Sequence, residues 1–399
     1  MSAPLELEEA QARLLAMLEP GAADCISVDD AGGRFLAEPV IAARTQPSAD
    51  LSAMDGYATA GEGPWRIVGE SRAGTPHDGV MKPGEATRVS TGAHMPEGAD
   101  AVLVQEDAEV DGQTLVAKDA PTARFIRRAG LDFEKADTLL DPGMRMGPAH
   151  IALTRAAGIA QVDVYEAPSV AVIECGDELS ADAAEVAANR IPAVNGAMLG
   201  EMARSTGAEV SAHGPVADDA ELLTRTTLQA SENAALVVIS GGASVGPHDL
   251  VKPALEAAGF TLDFWRVAIK PGKPLLVARR DGVVVLGLPG NPVSSFVTGF
   301  LFMAPAIRRL AGAAACLPRA IPIPLAAPLP PGGKRREFLR ATWTEAGLLP
   351  AAVQDSSALR PLAQANALID RPRNADASDT GAFVPAYLLE NPAQTGGYA

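Results

Sequence analysis

The segment VVISGGASVGPHDLVKPAL, Val237 to Leu255, decides the fold class because it combines an apolar strand, a glycine-rich loop and the start of a helix. A strand that is apolar throughout is typical of a parallel sheet covered on both faces. Glycines before a helix let backbone N–H groups approach an oxyanion such as a phosphate. The two common phosphate-loop motifs do not fit, since Pro247 and His248 replace the Walker A lysine and hydroxyl residue and no G-x-G-x-x-G can be drawn.

Strand-like and helix-like runs alternate on both sides of this segment, between residues 168 and 312. The strands SVAVIE, AEVSAHG and ALVVIS are each followed by a helix-like run, at 196–206, 219–231 and 249–258. This rhythm predicts a parallel, doubly wound sheet with helices on both of its faces. The predicted fold class is therefore multidomain α/β, with this sheet in the central domain.

The rest of the chain is predicted to form three further domains. Residues 1–44 and 137–166 form one discontinuous domain of mixed helical and extended structure, which begins with an amphipathic helix. Residues 45–136 are β-rich, because short alternating runs such as WRIVGES are separated by Gly, Pro and Asp turns. The α/β domain spans 167–316, and a proline-rich linker opens a C-terminal, β-barrel-like domain at 317–399.

The amino-acid composition limits which macromolecular partners and which cellular compartment are expected. The 49 acidic and 33 basic side chains give a net charge of −16, which argues against nucleic acid or an anionic membrane as a general partner. Three widely spaced cysteines support neither a disulfide framework nor a zinc site. The N-terminus lacks the features of a signal peptide, and the apolar run 296–307 is too short to span a membrane. These features predict a cytoplasmic protein.

Four polar or glycine-rich loops follow predicted strands: CGDE (175–178), GGASVGPHD (241–249), KPGKP (270–274) and LPGNP (288–292). In a doubly wound sheet, ligands bind at the carboxyl ends of the strands, so we expect these loops to meet at one edge. They carry the carboxylates of Asp177, Glu178 and Asp249 and the cations of Lys270 and Lys273, with Arg266 just upstream. Such a set suits a phosphorylated ligand with a divalent cation.

Each loop also has a purely structural interpretation. The glycine pair can be a tight turn, Asn291 and Pro292 can simply start a helix, and Asp249 can be a helix N-cap without a metal. Lys270 and Lys273 can be solvated charges on an exposed loop. The occurrence of four such loops at four strand ends favours a site.

Several motifs carry a resemblance to a known family: SAMDGYA (Ser52–Ala58), VSTGAHMPEGADAVLVQED (Val89–Asp107), RRAGLD (Arg127–Asp132), GDEL, SGGASVGPHD, AIKPGKP and GLPGNPVSS. With these motifs in this order, the chain resembles the molybdopterin molybdenumtransferase (MoeA) family, including gephyrin E-type domains, along nearly its whole length. The resemblance implies four domains, of which the α/β domain is Mog-like, and a homodimer. It also implies insertion of molybdenum from molybdate into adenylylated molybdopterin (molybdopterin-AMP), with help from Mg²⁺ and release of AMP.

The resemblance also assigns roles, residue by residue. The predicted catalytic residues are Asp55, Thr91, Asp132, Glu178, Asp218, Asp249 and Lys270, with Asp55 acting across the dimer. Residues predicted to bind the pterin nucleotide or molybdate are Gly241, Gly242, Ser244, Gly246, Arg266, Lys273, Pro289, Gly290, Asn291, Pro292, Asn195, Arg340 and Ser356. The pyrophosphate is expected against the Gly241–Gly246 amides, with Mg²⁺ held by Asp249 and Asp177, and molybdate in a basic pocket that includes Arg340 and Ser356.

The chain departs from the family pattern near the first strand of the α/β domain. Cys175 stands where the family has Thr, Ala193 and Val194 stand where it has Asp and Thr or Ser, and Arg266 stands where Lys is common. Two alternatives therefore remain open: a molybdopterin adenylyltransferase, which shares the α/β domain, and a non-catalytic pterin-binding scaffold. A separate molybdopterin adenylyltransferase is a further expected partner.

Overall fold

The computed structural model describes residues 3–184, 186–242 and 250–389. The chain begins with helix α1 (Leu7–Leu15), strand β1 (Ala23–Ser27) and strand β2 (Val40–Ile41). The apolar face of α1, formed by Leu7 and Leu14, packs into the hydrophobic core of the α/β sheet rather than against β1 or β2. The N-terminal helix is thereby attached to the part of the chain that follows residue 167.

Eight strands and several turns make up the next segment: β3 (Leu51–Ser52), β4 (Gly56–Thr59), β5 (Trp65–Ser71), β6 (Glu85–Val89), β7 (Ala101–Val104), β8 (Ala108–Asp111), β9 (Thr114–Ala117) and β10 (Ile126–Arg127). Six of them form one sheet in the order β7-β4-β6-β5-β9-β8, while β3 pairs with β10. Two small apolar clusters, one around Val102 and one around Trp65 and Leu115, lie within this segment.

The chain then returns to the first strands through β11 (Thr138–Leu140), α2 (Pro148–Ala156) and β12 (Gln161–Tyr165). β12 pairs antiparallel with β1 over five residues, and β11 pairs with β2. Val28, Leu36 and Val164 are among the buried residues of the core that these elements share. The division of the chain into domains at the predicted boundaries stays a prediction: these pairings connect β1 and β2 with β12 and β11, whereas α1 packs on the α/β sheet.

In its described residues, the third region has the elements β13 (Ser169–Cys175), β14 (Leu179–Ser180), β15 (Ile191–Pro192), α3 (Asn195–Ser205), β16 (Glu209–Val216), α4 (Ala220–Ser231), β17 (Leu236–Ser240), α5 (Val251–Ala257), β18 (Thr261–Trp265), β19 (Ile269–Lys270), β20 (Leu276–Arg280), β21 (Val283–Leu288), α6 (Pro292–Thr298) and α7 (Ala304–Leu310). A five-residue π-helical stretch, Gly299–Met303, joins α6 to α7. The main sheet has the order β16-β13-β17-β21-β20-β18. Its inner strand β17 is buried throughout, as an apolar strand covered on both faces must be.

The main sheet is mixed, whereas the sequence predicts parallel strands only. β16, β13, β17 and β21 are parallel, but β20 runs antiparallel to β21 and β18 runs antiparallel to β20. The cause is a two-residue hairpin at Asp281-Gly282, where both residues have positive φ (+49° and +84°). An Asp-Gly pair between apolar runs is the sequence signal for such a turn. Since two reversals restore the direction, β18 again runs parallel to β21.

The C-terminal region forms a six-stranded sheet from β22 (Ile321–Pro324), β23 (Arg336–Thr344), β24 (Gly347–Pro350), β25 (Ala367–Arg371) and β26 (Phe383–Leu388), with α8 (Leu359–Gln364) beside it. The order is β19-β23-β25-β26-β22, and β24 pairs with β23. The sixth strand, β19, is contributed by the α/β region, so the two regions share a sheet. Among the helices of the described ranges, none has the length and apolar character needed to cross a bilayer.

Candidate active site

The carboxyl ends of β13, β17 and β21 lie side by side, and their loops contact one another. The amide of Gly241 donates to the carbonyl of Leu288 at 3.3 Å, and the Ser240 hydroxyl lies 3.0 Å from that of Ser295. The Cys175 thiol points at the Ser240 carbonyl at 3.6 Å. Three of the four loops predicted to meet at one edge are therefore in direct contact.

The fourth loop, KPGKP, reaches the same region through α6, the helix that follows LPGNP. A Cβ added at Gly272 would lie 2.6 Å from Cγ2 of Thr298, so the loop packs closely on this helix. Just upstream, Arg266 has a positive φ of +103°, and its guanidinium lies over the Trp265 ring at 5.2 Å. Lys273 is exposed, and its carbonyl accepts the amide of Val267.

The glycine-rich loop after β17 requires its first glycine for a packing reason. Gly241 has a φ of +98°, and a Cβ there would lie 2.1 Å from the carbonyl oxygen of Cys175. Gly242, with a φ of +63°, would place a Cβ 3.1 Å from the Val251 side chain. Close approach of neighbouring strand ends thus explains this glycine pair without a ligand. Ser244, Gly246 and Asp249 lie outside the described residues.

The LPGNP loop is held by buried hydroxyl and amide groups. The Ser295 hydroxyl donates to the Pro289 carbonyl at 2.8 Å, and Nδ2 of Asn195 donates to the Gly290 carbonyl at 2.7 Å. Asn291 occupies the N-cap position of α6 without a side-chain capping bond, and Pro292 is the first helical residue. The structural interpretation of this loop as a helix start is therefore correct, and its buried bonds fix it at the sheet edge.

Two predicted acidic residues meet beside this edge. Oδ1 of Asp177 accepts the amide of Asp218 at 3.1 Å, and Oδ2 of Asp218 accepts the amide of Asp177 at 3.3 Å. Both are exposed, as is Glu178, whose carbonyl accepts the Ile191 amide. In the part of the chain that the structure describes, no three His, Cys, Asp or Glu side chains converge as a complete metal site. The carboxylates of Asp177 and Asp218 by themselves offer two hard oxygen ligands for a metal ion.

Lys270 is held by the C-terminal region rather than by its own loop. In the pairing of β19 with β23, Lys270 lies opposite Glu337, and its Nζ donates to Oε1 of Glu337 at 2.8 Å. Burial works to raise the pKa of Glu337, but the hydrogen bond and charge of Lys270, the Gly333 amide and the charge of Arg371 together outweigh it, so this pKa lies below its ordinary value. The lysine side chain remains 56% exposed and can reach a ligand.

Arg340 is 1% exposed and organises the loop that carries Ser356. Its Nη1 and Nη2 donate to the carbonyls of Asp355 and Val353 at 2.9 and 3.0 Å. The Ser356 carbonyl in turn accepts the Val293 amide in α6 at 3.1 Å. Burial lowers the pKa of Arg340, and Nε has no hydrogen-bond partner in the described ranges. The structure thus places Arg340 behind the Ser356 loop, with both terminal nitrogens bonded to backbone carbonyls.

Asp55 and Thr91 are brought together in the β-rich segment 45–136. Both the amide and the hydroxyl of Thr91 donate to Oδ1 of Asp55, at 2.7 and 3.2 Å. Asp132 is exposed in the same segment, where its amide donates to the Gln46 carbonyl. Within the described residues, no hydrogen bond or ion pair connects these three side chains to the loops at the α/β edge. The described contacts therefore join Asp55 to Thr91 and do not join either residue to the loops at the α/β edge.

Cys175 is not suited to be a nucleophile. Burial, with the nearby charges of Asp218, Glu178 and Glu174, raises the pKa of its thiol to about 12. A thiol with such a pKa stays protonated and unreactive at neutral pH. Cys175 therefore serves as a packing residue at the end of β13.

Sequence reasoning missed two carboxylates. Glu174 is buried at the end of β13, where its oxygens accept the amides of Asn195 and Gly196. Glu337, in β23, holds Lys270. The position of Glu174, a charged residue in the apolar run SVAVIEC, is a sequence signal for a special role. The pairing of Glu337 with Lys270 joins residues 67 positions apart and has no local signal.

Comparisons with known proteins cover nearly the whole chain. Residues 5–158 match the MoeA N-terminal region (domain I and II), residues 171–309 match a probable molybdopterin binding domain, and residues 322–389 match the MoeA C-terminal region (domain IV).

Two relatives and one solved structure illustrate the similarity. A molybdopterin molybdenumtransferase of Haemophilus influenzae is 34% identical over 316 residues, which is 77% of this chain and 78% of the relative. One from Staphylococcus epidermidis is 30% identical over 97% of this chain and 96% of its own length. The crystal structure of a molybdopterin biosynthesis moeA protein from Pyrococcus horikoshii superposes with a TM-score of 0.84 at 25% identity, covering 97% of this chain and all of that one.

Proposed function

Because this chain belongs to the molybdopterin molybdenumtransferase (MoeA) family, we propose that it inserts molybdenum into molybdopterin as a step of molybdenum cofactor biosynthesis. The observation that carries the proposal is the meeting of the CGDE, GGASVGPHD and LPGNP loops at the carboxyl edge of the α/β sheet, with the KPGKP loop on α6 beside them. Ligands of doubly wound sheets bind at this edge. The finer proposal is that the substrates are adenylylated molybdopterin and molybdate, and that AMP is released.

The residues of the edge suit an anhydride of two phosphates. Backbone amides of the loop that starts at Gly241 would donate to the pyrophosphate oxygens, and Lys270 and Lys273 supply positive charge beside them. When the phosphoanhydride is cleaved, these cations offset the negative charge that develops on the leaving phosphate, which is electrostatic stabilisation of the transition state. Their contribution does not require either lysine to change protonation.

A magnesium ion fits the acidic pair beside the loop. Asp177 and Asp218 each use one carboxylate oxygen for the other's amide, which leaves each a second oxygen outside this pair of bonds. Asp249 is the further proposed ligand. When bound, Mg²⁺ would neutralise charge on the phosphate oxygens as a Lewis acid. Hard carboxylate ligands of this kind suit Mg²⁺, which keeps several of its waters.

Molybdate, a tetrahedral oxyanion, is proposed to bind where the α/β and C-terminal regions share a sheet. Lys270 and Lys273 would face it, with Ser356 on the loop opposite. The two carbonyl bonds of Arg340 hold this loop against α6, so Arg340 acts through Ser356 as well as through its charge. A positive pocket is needed there, since the chain as a whole is strongly acidic.

We propose a homodimer in which Asp55, Thr91 and Asp132 of one protomer complete the site of the other. The support is the family to which the chain belongs, together with the lack, among the described residues, of any hydrogen bond or ion pair between these side chains and the loops of the α/β edge. A cytoplasmic location and a molybdopterin adenylyltransferase that supplies the substrate belong to the same proposal. The experiment is subunit exchange between Asp55→Ala and Asp249→Ala proteins, each inactive alone. Mixed dimers should recover AMP release at one intact site in two, and no recovery after verified exchange would refute the shared site.

A further inference from the structure

The N-terminus of α3 holds a carboxylate from the protein itself. Glu174 is 5% exposed and lies at the carboxyl end of β13. Its Oε1 accepts the amide of Asn195 at 3.0 Å and its Oε2 accepts the amide of Gly196 at 2.7 Å. These are the first two amides of an 11-residue helix, the groups that otherwise lack an intrahelical partner.

Glu174 is compensated by the helix and not by a cation. Among the described residues, no lysine, arginine or histidine forms an ion pair with it, so the amides and dipole of α3 offset its charge. Val194 at the N-cap makes no side-chain capping bond, which leaves this role to Glu174. A Cβ at Gly196 would lie 2.8 Å from Oε2, so the glycine makes room for the carboxylate. The position that a ligand oxyanion could take at α3 is therefore filled.

The residue that Glu174 holds, Asn195, presents an unused acceptor at the edge of the site. Asn195 is 4% exposed, and its Nδ2 donates to the Gly290 carbonyl at 2.7 Å, which fixes the orientation of its amide group. In the described ranges, its Oδ1 is buried and has no hydrogen-bond partner. Because a buried acceptor without a donor is unfavourable, this oxygen is suited to receive an N–H group from a ligand.

We propose that Glu174 is a positioning residue: by occupying the anion position of α3, it fixes Asn195 so that Oδ1 accepts an N–H of the bound substrate. The ligand group is a ring N–H or amino group of a fused nitrogen heterocycle, as both the pterin and the adenine of the substrate offer. With the carboxylate of Glu174 in place, phosphate oxygens of the substrate are not expected at the N-terminus of α3. The substrate part of this inference rests on the proposed function, whereas the role of the carboxylate does not.

The first part of the test is independent of any reaction. Glu174→Ala removes the carboxylate and leaves a cavity at two helix amides, so its melting temperature should fall and sodium formate should restore it in part, while sodium chloride at the same concentration should not. Glu174→Gln keeps the volume and leaves no cavity, so formate should not stabilise it. An alanine variant with the wild-type melting temperature, or one that formate does not stabilise, would overturn the anion position.

The second part measures AMP release with adenylylated molybdopterin. Glu174→Ala should raise KM about 10-fold, the factor for roughly one hydrogen bond to the ligand, with a much smaller change in kcat. Asn195→Ala should raise KM by a similar factor, and the KM of the double variant should be close to that of either single variant. Formate should lower the KM of Glu174→Ala protein only while Asn195 is present. Gln11→Ala, which loses a buried bond to the Leu301 carbonyl outside the site, is the control for a loss of stability alone.

The two parts separate the possible failures. Formate stabilisation with an unchanged KM, or additive effects of the two alanine substitutions, would mean that Glu174 only caps α3, and the positioning role would be wrong. Failure of the wild-type protein to release AMP would refute the proposed function instead. In that case the alanine and glutamine variants still decide the anion position. Isothermal titration of adenylylated molybdopterin, which carries both heterocycles, into wild-type and Asn195→Ala protein decides the acceptor, and equal affinities would overturn it.

Discussion

Replacing Glu337 by glutamine tests whether the C-terminal region sets the orientation of Lys270. At 2.8 Å, the separation of Nζ and Oε1, two unit charges attract with about 6 kcal/mol at an effective dielectric constant of about 20. The lysine side chain is more than half exposed, so water screens most of this energy and the net contribution is about 1 kcal/mol. Such a loss lowers the melting temperature of a 150–250-residue domain by about 2–4 °C.

The pH dependence of this loss follows from the direction of the pKa shift. The pKa of Glu337 lies below its ordinary value of 4.5, so the ionised carboxylate stabilises the folded protein above that pH. The contribution disappears as the pH falls through the lowered pKa. The melting temperatures of the wild-type and Glu337→Gln proteins should therefore differ at neutral pH and converge in acid, which calorimetry at several pH values can measure.

Glu337→Gln should affect the rate of AMP release more strongly than the stability of the fold. Without Glu337 the lysine ammonium is no longer held at one place, and a misplaced catalytic group costs on the order of 10- to 100-fold in rate. Glu85→Gln is the matched control, because Glu85 pairs with an exposed Arg66 at 2.9 Å in a different part of the chain. If both variants release AMP at the same kcat, or if the melting temperatures do not converge in acid, the reasoning about Lys270 is refuted.

Three further predictions concern the loops at the sheet edge. Gly241→Ala should lower the free energy of unfolding by about 1–3 kcal/mol, because its Cβ would meet the Cys175 carbonyl. The control is Gly112→Ala, which has a positive φ but no neighbouring atom and so measures the backbone strain alone. Equal melting temperatures of these two variants would contradict the clash at Gly241. Iodoacetamide at neutral pH should modify Cys175 only after unfolding, since its pKa is about 12, and rapid modification of the native thiol would disprove its inertness. Asp249→Asn should keep the wild-type melting temperature but lose Mg²⁺-dependent AMP release, since an amide is a poor ligand for a hard cation; an active variant that still responds to Mg²⁺ would end the metal assignment.

The sequence predicts those features of the fold that have a local pattern. The apolar run of β17 and the alternation of strands and helices indicate the α/β region, and the motifs indicate the family. The antiparallel direction of β20 also has a local signal in the sequence, the Asp281-Gly282 pair. The anion cradle of the glycine-rich loop stays a prediction, whereas the packing need for Gly241 comes from the Cys175 carbonyl, a contact between strands 66 positions apart.

The features that the sequence does not predict are those that depend on contacts between distant segments. The strand β19 joins the C-terminal sheet and so brings Lys270 opposite Glu337, which no periodicity could reveal. The carboxylate of Glu174 reaches the amides of α3 because β13 ends where that helix begins in space. In both cases a side chain outside the motifs lies against a predicted site residue that is distant in sequence.

The measurement that tests the central claim most directly is AMP release from adenylylated molybdopterin by the purified protein, with molybdate and Mg²⁺ added separately and together. We expect AMP release that requires both, without ATP consumption, and formation of a product that contains molybdenum. Pyrophosphate release from ATP and molybdopterin would instead identify an adenylyltransferase. Binding of the pterin nucleotide without release of AMP, under conditions in which a known molybdopterin molybdenumtransferase is active, would identify a scaffold and contradict the account.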